Sequence, residues 1–395
     1  MGNTGSIAFV APRFAAGATV GGAETLLRHL AERCAKNGRR VVFLTTCATD
    51  HFTWANVLEP GTRPANGFDV TYFPVDTTRD VPLFATLQHA IDRGLTVTPE
   101  DELAWINNSV NSRALLDHLR IHGTAYDRII AGPYLFGLVY NAAQIHPQKT
   151  LLVPCLHDEP YAHLACMNAL FNGVAGCLFN SEPERDLARA IYHHDPARGA
   201  VVGMGFDPFD ADPVAFASRH GLTTPYVIYS GRREAGKGVP LLADYLTAYR
   251  QRTGRNIKLV ATGSGAIEAP TALQPHILDL GFVSEEEKHA AMAGALAFIH
   301  PSRLESFGIV LLEAFMARTP ALVNAGSDVL RWQCKRSGAG LWFRSYLEFE
   351  EELNLLATSP ALRRTLGERG RAFVTREYTW TAVEKRLFHA IDTLC

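Results

Sequence analysis

Two glutamates, Glu305 and Glu313, flank the start of an apolar helix and give the strongest chemical signal in the chain. Between residues 309 and 317 every residue except Glu313 is apolar, which predicts a helix buried on nearly all sides. A buried, ionised carboxylate needs a partner, so Glu313 either lines a ligand site or pairs with a structural arginine. Backbone amides near Phe307 and Gly308 can bind an anion without side-chain help. The segment therefore predicts an anion site between two carboxylates.

A second cluster, residues 229–238, runs off a predicted strand into a helix and combines glycines with cations. The glycines, Gly231 among them, let the backbone approach a ligand closely, while Arg232 and Lys237 offer two positive charges to one crevice. The sequence departs from a Walker A loop, because Gly238 follows Lys237 where a Ser or Thr is required. The alternative is a solvated strand-to-helix turn.

The elements that must position these residues alternate between short apolar runs and amphipathic helices. Such alternation predicts parallel strands covered by helices on both faces. It breaks at residues 205–213, a segment with two prolines and three aspartates that we interpret as a linker, and then restarts. Strands are expected at residues 6–12, 41–45, 128–131, 151–153, 176–179, 226–230, 258–262, 296–300 and 321–324.

The predicted fold class is α/β, with two Rossmann-like domains facing a central cleft. The first domain spans residues 1–204, and the second spans residues 205–377. The last helix, residues 378–395, is expected to pack back on the first domain. In such folds the carboxyl ends of the strands gather loops and helix starts around the ligand.

Composition excludes several classes of protein. The 395 residues carry 38 Lys and Arg against 40 Asp and Glu, a net charge of -2, so no basic field attracts nucleic acid. The start of the chain lacks the pattern of an export signal, and no stretch is long and apolar enough to span a membrane. The seven cysteines include no Cys-x-x-Cys. These features lead us to expect a cytoplasmic protein.

Together these motifs resemble the retaining GT-B glycosyltransferases of family 4. The resemblance rests on Glu305 and Glu313 with seven residues between them, on the 231–238 cluster, and on residues 21–24 (Gly-Gly-Ala-Glu) in the first domain. It implies that the first domain lies on the acceptor side and that the second domain binds a nucleotide sugar. Arg232 and Lys237 would hold the diphosphate of that sugar. By the same resemblance, Glu313 binds the ribose hydroxyls and Glu305 a hydroxyl of the donor sugar. The further donor contacts that it implies are the amides of Ser306, Phe307 and Gly308 and the backbone at Gly263 and Val283.

The first domain contributes fewer candidates. His157 follows a predicted strand, where such enzymes carry a histidine that reaches the reacting sugar; a merely exposed loop histidine is the alternative. Gly21 and Gly22 would let a helix start approach the phosphates or the acceptor. One departure from the family pattern concerns residues 325–330, which read Ala-Gly-Ser-Asp-Val-Leu where the family has Gly-Gly-x-x-Glu.

Two further patterns favour ordinary structure over function. Asp210 and Asp212 match a metal-binding Asp-x-Asp motif, but they fall in the linker and are interpreted as turn residues. The helix at residues 23–37 and the residues after it carry several basic side chains, which predict a solvated face and at most a weak contact with a membrane. No metal is expected, because the cations and the helix start can neutralise a leaving diphosphate.

The predicted function is metal-independent transfer of a sugar, with retention, from a UDP- or GDP-linked donor to an acceptor hydroxyl. No cofactor beyond the donor is expected, and the acceptor is an unidentified sugar, lipid-linked or small molecule. One alternative is a nucleotide-sugar 2-epimerase or hydrolase of the same fold. The other is a catalytically silent subunit or sugar-binding protein.

Overall fold

A computed structural model of the chain describes residues 5–14, 21–233 and 235–394. The first four residues, to which the expectation about an export signal refers, lie outside the described residues. So do Glu234 and most of the glycine-containing loop after the first strand. The chain divides into two compact units. Unit 1 comprises Met1–Met204 and Glu384–Cys395, and unit 2 comprises Gly205–Val383.

Unit 1 is built on an eight-stranded sheet whose order is β3-β4-β2-β1-β5-β6-β7-β8. All neighbouring strands are parallel except β3, which pairs antiparallel with β4. The apolar runs predicted in this half all lie in strands, because their side chains are buried on both faces of the sheet. The strands are β1 (Ser6–Val10), β2 (Arg40–Thr46), β3 (Gly61–Ala65), β4 (Phe68–Phe73), β5 (Arg128–Ala131), β6 (Thr150–Leu152), β7 (Gly176–Phe179) and β8 (Gly199–Val201).

The helices of unit 1 cover both faces of this sheet. They are α1 (Gly22–Lys36), α2 (Val81–Asp92), α3 (Pro99–Asn108), α4 (Arg113–His122), α5 (Gly137–Ala143), α6 (Ala165–Gly173) and α7 (Glu182–Tyr192). The basic side chains near α1 are largely paired, Arg28 with Glu32 and Arg39 with Asp392. These ion pairs fit the solvated-face interpretation of α1.

Unit 2 contains a fully parallel six-stranded sheet in the order β11-β10-β9-β12-β13-β14. The chain starts at the central strand β9, adds strands toward one edge, and then returns to add strands toward the other edge. The reversal leaves a gap between the loops that follow β9 and β12, and open α/β sheets bind ligands at such a point. The strands are β9 (Tyr226–Ser230), β10 (Lys258–Thr262), β11 (Ile277–Gly281), β12 (Phe298–His300), β13 (Ala321–Asn324) and β14 (Gly340–Phe343).

The helices of unit 2 include the buried helix predicted from its apolar run. They are α8 (Pro213–Arg219), α9 (Val239–Thr253), α10 (Glu285–Ala293), α11 (Ile309–Met316), α12 (Asp328–Ser337), α13 (Tyr346–Thr358) and α14 (Pro360–Glu377), with α15 (Trp380–Thr393) completing the chain. The boundary between the units falls within α15, whereas the sequence suggested residue 378. Among the described residues, no helix combines the length and apolar character needed to cross a lipid bilayer.

The predicted linker has an ordered structure. The Asp212 side chain accepts hydrogen bonds from the N–H groups of Val214 and Ala215 and thereby caps α8. Asp210 pairs with Arg371 at 2.9 Å. Both aspartates of the Asp-x-Asp pattern therefore have structural partners, as their interpretation as turn residues required.

Two glycines flank α9 in the left-handed conformation, Gly238 with φ 73° and Gly254 with φ 69°. A Cβ on Gly238 would lie 2.7 Å from the carbonyl oxygen of Pro301, whereas one on Gly254 would meet nothing within 4 Å. Gly238 is thus the point at which the loop after β9 touches the loop after β12.

We expect Gly254→Ala to lower the free energy of unfolding by about 1 kcal/mol, the penalty of a left-handed alanine. Gly238→Ala should lower it by at least about 1 kcal/mol more, because its Cβ also displaces backbone. Urea unfolding of the full chain measures both variants. Equal losses in the two variants would contradict the close approach at Pro301.

Candidate functional site

The loops after β9 and β12 bring Lys237 and Glu305 together. Lys237 ends a short 3-10 turn after β9, and its Nζ lies 2.7 Å from Oε1 of Glu305 on the loop after β12. Lys237 Nζ also donates to the Leu304 carbonyl at 3.4 Å. Both side chains are partly exposed, which leaves the pair accessible to a ligand. The structure therefore places an ion pair at the point where the strand order reverses.

His300, which sequence reasoning did not single out, lies behind this pair. Its Nε2 is 3.5 Å from Oε1 of Glu305, and the residue is buried. Burial and, to a lesser extent, the nearby Lys237 lower the pKa of His300 to about 4, although Glu305 opposes the shift. The imidazole is therefore neutral at neutral pH, and the charge of Glu305 is matched by Lys237.

The second predicted cation, Arg232, is exposed on the same loop, and its carbonyl accepts a hydrogen bond from Tyr229 Oη at 2.5 Å. Its neighbour Arg233 is buried and has a different role. Arg233 donates two hydrogen bonds to Asp279, at 2.5 and 2.6 Å, and one to the Gly265 carbonyl at 2.9 Å. The sequence indicates this role of Arg233 only through its place in the 229–238 cluster, because its partner Asp279 is distant along the chain.

Two of the predicted donor-binding glycines meet beside Arg233. Gly263, with φ 113°, approaches so closely that a Cβ on it would lie 2.1 Å from the Gly231 carbonyl oxygen. Only glycine fits such a contact, so the turn after β10 lies directly on the turn after β9. Val283 is half-buried and lies two residues after the end of β11, next to the exposed Phe282.

Helix α11 begins directly after Ser306, Phe307 and Gly308. Gly308 takes the left-handed conformation, and no side chain caps this helix start. Phe307 is buried, and its carbonyl accepts a hydrogen bond from Gln333 at 3.4 Å. The helix start therefore keeps the geometry that favours an anion.

Glu313 has a partner that the sequence did not reveal. Oε2 of Glu313 lies 2.9 Å from Nζ of Lys288 on α10, and the same ammonium lies 2.8 Å from Glu285. Burial raises the pKa of Glu313, and Lys288 opposes that shift. From the sequence, a structural arginine is the alternative partner of Glu313. The structure instead shows a lysine, and it gives Glu305 and Glu313 separate cationic partners.

Three side chains around this lysine have the composition of a metal site. Glu285, His289 and Glu313 place ligand atoms within 4.8 Å of one another. The ammonium of Lys288 contacts both carboxylates and supplies the positive charge that a cation would bring. His289 stacks on Phe209 with ring centroids 3.6 Å apart. The cluster is therefore explained as an internal ion-pair network.

In the region that departs from the family pattern, ordinary caps replace the expected glutamate. Ser327 accepts a hydrogen bond from the Leu330 N–H and caps α12. Asn324 accepts one from the Gly326 N–H at 2.8 Å and donates to the Pro301 carbonyl at 3.1 Å. This edge of the sheet is thus tied to the loop that carries Glu305.

Three predicted site residues, Gly21, Gly22 and His157, lie in unit 1. Gly21 caps α1 and Gly22 begins it. The nearby Glu24 forms a buried ion pair with Arg13. His157 lies on the loop after β6, with Nδ1 3.6 Å from Oε2 of Glu159.

Glu184, a buried carboxylate that the sequence did not flag, holds the loop of His157. Its Oε1 accepts the Leu156 N–H at 2.6 Å, and its Oε2 accepts the Asn180 N–H at 2.5 Å. Burial raises the pKa of Glu184 to about 8, even though these N–H groups favour the ionised form. The carboxyl group therefore joins the loop after β6 to the start of α7.

The fold of the chain resembles that of solved structures of the GT-B type. The crystal structure of Anabaena HepE in complex with UDP-glucose matches with a TM-score of 0.70 and 15% identity, over 99% of this chain and 100% of that chain. Together with one mostly parallel and one fully parallel sheet, this match confirms the predicted α/β GT-B fold.

Sequence comparison adds relatives for parts of the chain. Residues 212–373 match the family described as "Glycosyl transferases group 1". The chain is 31% identical over 163 residues to D-inositol 3-phosphate glycosyltransferase of Mycobacteroides abscessus, covering 38% of this chain and 36% of that protein. It is 26% identical over 273 residues to Alpha-D-kanosaminyltransferase of Streptomyces kanamyceticus, covering 65% and 70%. The alignment thus spans little more than a third of the first relative.

A double-mutant cycle tests the Lys288–Glu313 pair. Lys288→Met leaves the Glu313 carboxylate buried without its cation and should lower the free energy of unfolding by about 3 kcal/mol. Adding Glu313→Gln should recover much of that loss, because no charge then remains buried. Urea unfolding of both single variants and the double variant measures the coupling. Strictly additive losses would show that the two groups do not interact.

The raised pKa of Glu184 predicts a pH-dependent stability. The unfolded carboxyl ionises near 4.5 and the folded one near 8, so the stabilisation is complete below pH 4.5 and declines as pH rises to 8. The Glu184→Gln variant does not titrate at this position. We therefore expect the free energy of unfolding of wild type, relative to that of Glu184→Gln, to decrease from pH 5 to pH 8.5. Urea unfolding of both proteins measures it. A constant difference across this range would contradict the assignment.

Proposed function

We propose that this chain is a glycosyltransferase that moves a sugar from a UDP- or GDP-linked donor to an acceptor hydroxyl, with retention and without a metal ion. The observation that carries the proposal is the Lys237–Glu305 ion pair at the strand-order reversal of unit 2. The similarity of residues 212–373 to the group 1 glycosyl transferases supports it. HepE, solved with UDP-glucose, makes UDP the first nucleotide to test.

The chemistry divides between the donor and the protein. The bond between the anomeric carbon and the diphosphate oxygen breaks, and the leaving oxygen keeps the electron pair. The acceptor oxygen bonds to that carbon on the same face, and its proton passes to the leaving phosphate. Lys237, Arg232 and the amide groups at the start of α11 stabilise the negative charge that develops on the diphosphate. With these groups in place, no metal ion is needed.

Glu305 has two roles in this proposal. Its Oε1 lies 2.7 Å from Nζ of Lys237 and balances the charge of that ammonium. When the donor diphosphate binds the Lys237 ammonium, the Glu305 carboxylate accepts a hydrogen bond from a hydroxyl group of the donor sugar. We further propose that His157 contacts the reacting sugar from the loop of unit 1 that Glu184 holds.

Glu313 is proposed to bind the ribose through one oxygen. The Lys288 ammonium lies 2.9 Å from Oε2 of Glu313, and we assign the other oxygen, Oε1, to the ligand. In this proposal Oε1 accepts a hydrogen bond from one ribose hydroxyl. The network of Lys288 and Glu285 then serves to keep this buried carboxylate ionised and oriented.

Substitution of Lys237 tests the proposal. Lys237→Ala should lower kcat at least about 100-fold, since it removes charge stabilisation that is greatest in the transition state. Lys258→Ala is the matched control, because Lys258 lies at the amino end of β10 in the same unit. Transfer and donor hydrolysis are measured by release of UDP or GDP from a panel of nucleotide sugars, with thermal unfolding to verify the fold.

Two results would contradict the proposal. Unchanged turnover in Lys237→Ala would remove the assigned role of the ion pair. Complete loss of activity in EDTA, with recovery on adding Mn²⁺, would overturn metal independence.

A further inference from the structure

Unit 1 contains a cavity of about 360 Å³ that none of the predicted site residues lines. Its walls come from the segments that follow β2, β4, β5 and β6 at the carboxyl edge of the sheet. Ligands of open α/β sheets bind at this edge. Its volume lies within the range of pockets that enclose small organic molecules.

The walls are mostly aromatic. Trp54 and Phe136 meet edge to face with ring centroids 5.3 Å apart. Trp105 stacks between Phe84 and Tyr161, at 6.2 and 6.0 Å. Both tryptophans are buried, and the Trp105 indole N–H is already satisfied by Gln88 at 2.8 Å. These rings give the cavity an apolar lining with few hydrogen-bonding groups, which suits an aromatic ring better than a polyol.

The wall also contains one unmatched positive charge. Arg79 is half-buried, and its Nε donates to the Asn108 carbonyl at 3.1 Å. Within the described part of the chain, no carboxylate pairs with Arg79, and burial alone lowers its pKa. A desolvated guanidinium without a counter-charge favours an anionic ligand that can accept its remaining N–H groups.

The cavity is connected to the predicted catalytic histidine. The hydroxyl of Tyr161, a wall residue, donates a hydrogen bond to Glu159. Oε2 of that glutamate lies 3.6 Å from Nδ1 of His157. Tyr161 in the cavity wall is thus linked through Glu159 to His157, the residue proposed to contact the reacting sugar.

We propose that this cavity binds the acceptor, and that the acceptor is a hydroxylated aromatic compound carrying an anionic group. Its ring packs between the aromatic walls, and its anion pairs with Arg79. The acceptor role rests on the proposed glycosyl transfer, whereas the binding itself does not. The exposed Phe52 and Val81, 80% and 53% accessible at the rim, are the apolar groups that such a ligand would cover.

Binding is tested without any donor. We titrate the full chain with 4-hydroxyphenylacetate and with its neutral amide, 4-hydroxyphenylacetamide, and follow the tryptophan fluorescence, to which Trp54 and Trp105 of the cavity contribute. The acid should bind more tightly than the amide. Arg79→Gln should weaken the acid at least tenfold and leave the amide unchanged, whereas Arg93→Gln, on the exposed end of α2, should change neither. Phe84→Leu should weaken both ligands.

The outcomes separate the two proposals. Absence of binding, or equal affinity for the acid in wild type and Arg79→Gln, would overturn the inference. Donor hydrolysis and transfer to the phenolic hydroxyl are then measured with the nucleotide sugars. Nucleotide sugar hydrolysis without transfer to a bound acid would overturn the acceptor role alone. Binding of the acid by a chain that cleaves no nucleotide sugar would overturn the proposed function, while the anionic aromatic site would stand.

Discussion

The contact between the Lys237 ammonium and the Glu305 carboxylate is the interaction on which the geometry of unit 2 depends. It joins the loops after β9 and β12, where the strand order reverses. Gly238 allows the two loops to touch, since any side chain there would overlap the Pro301 carbonyl. The neutral His300 behind the pair leaves Lys237 as the cation that balances Glu305. The result is a positive charge held by a carboxylate at the reversal of the strand order, where the donor diphosphate is proposed to bind.

The same constraint, that a charge removed from water needs a counter-charge or hydrogen bonds, explains the other buried groups. Lys288 forms an ion pair with Glu313, and two backbone N–H groups donate hydrogen bonds to Glu184. In the first case the pair orients a carboxylate proposed to bind ribose. In the second, the carboxyl group fixes the loop of His157. Both are positioning devices built from long-range contacts.

Arg79 lines the aromatic cavity of unit 1, and among the described residues no carboxylate pairs with its guanidinium. In our proposal, the anionic group of the ligand supplies this counter-charge. The aromatic walls restrict the kind of anion that fits, since they stack well on a ring and satisfy few hydroxyl groups.

The sequence by itself determined the α/β class, the order of most strands along the chain and the presence of a buried helix containing Glu313. These follow from local apolar periodicity, which a single stretch of chain carries in full. It also brought Gly231, Lys237 and Glu305 into consideration, because glycines and charges at strand ends are visible in short motifs. No strand is predicted from the sequence between residues 45 and 128, whereas the structure has the β3–β4 hairpin there, followed by α2 and α3.

Only the tertiary structure decided which charges pair. Arg233 with Asp279, Lys288 with Glu313, and Glu184 with two backbone amides all join different elements of the chain. The same holds for the aromatic cavity, whose rings come from the segments after four separate strands. Such partners are selected by distance and burial in the folded chain, and neither quantity is encoded in the spacing of residues along the sequence.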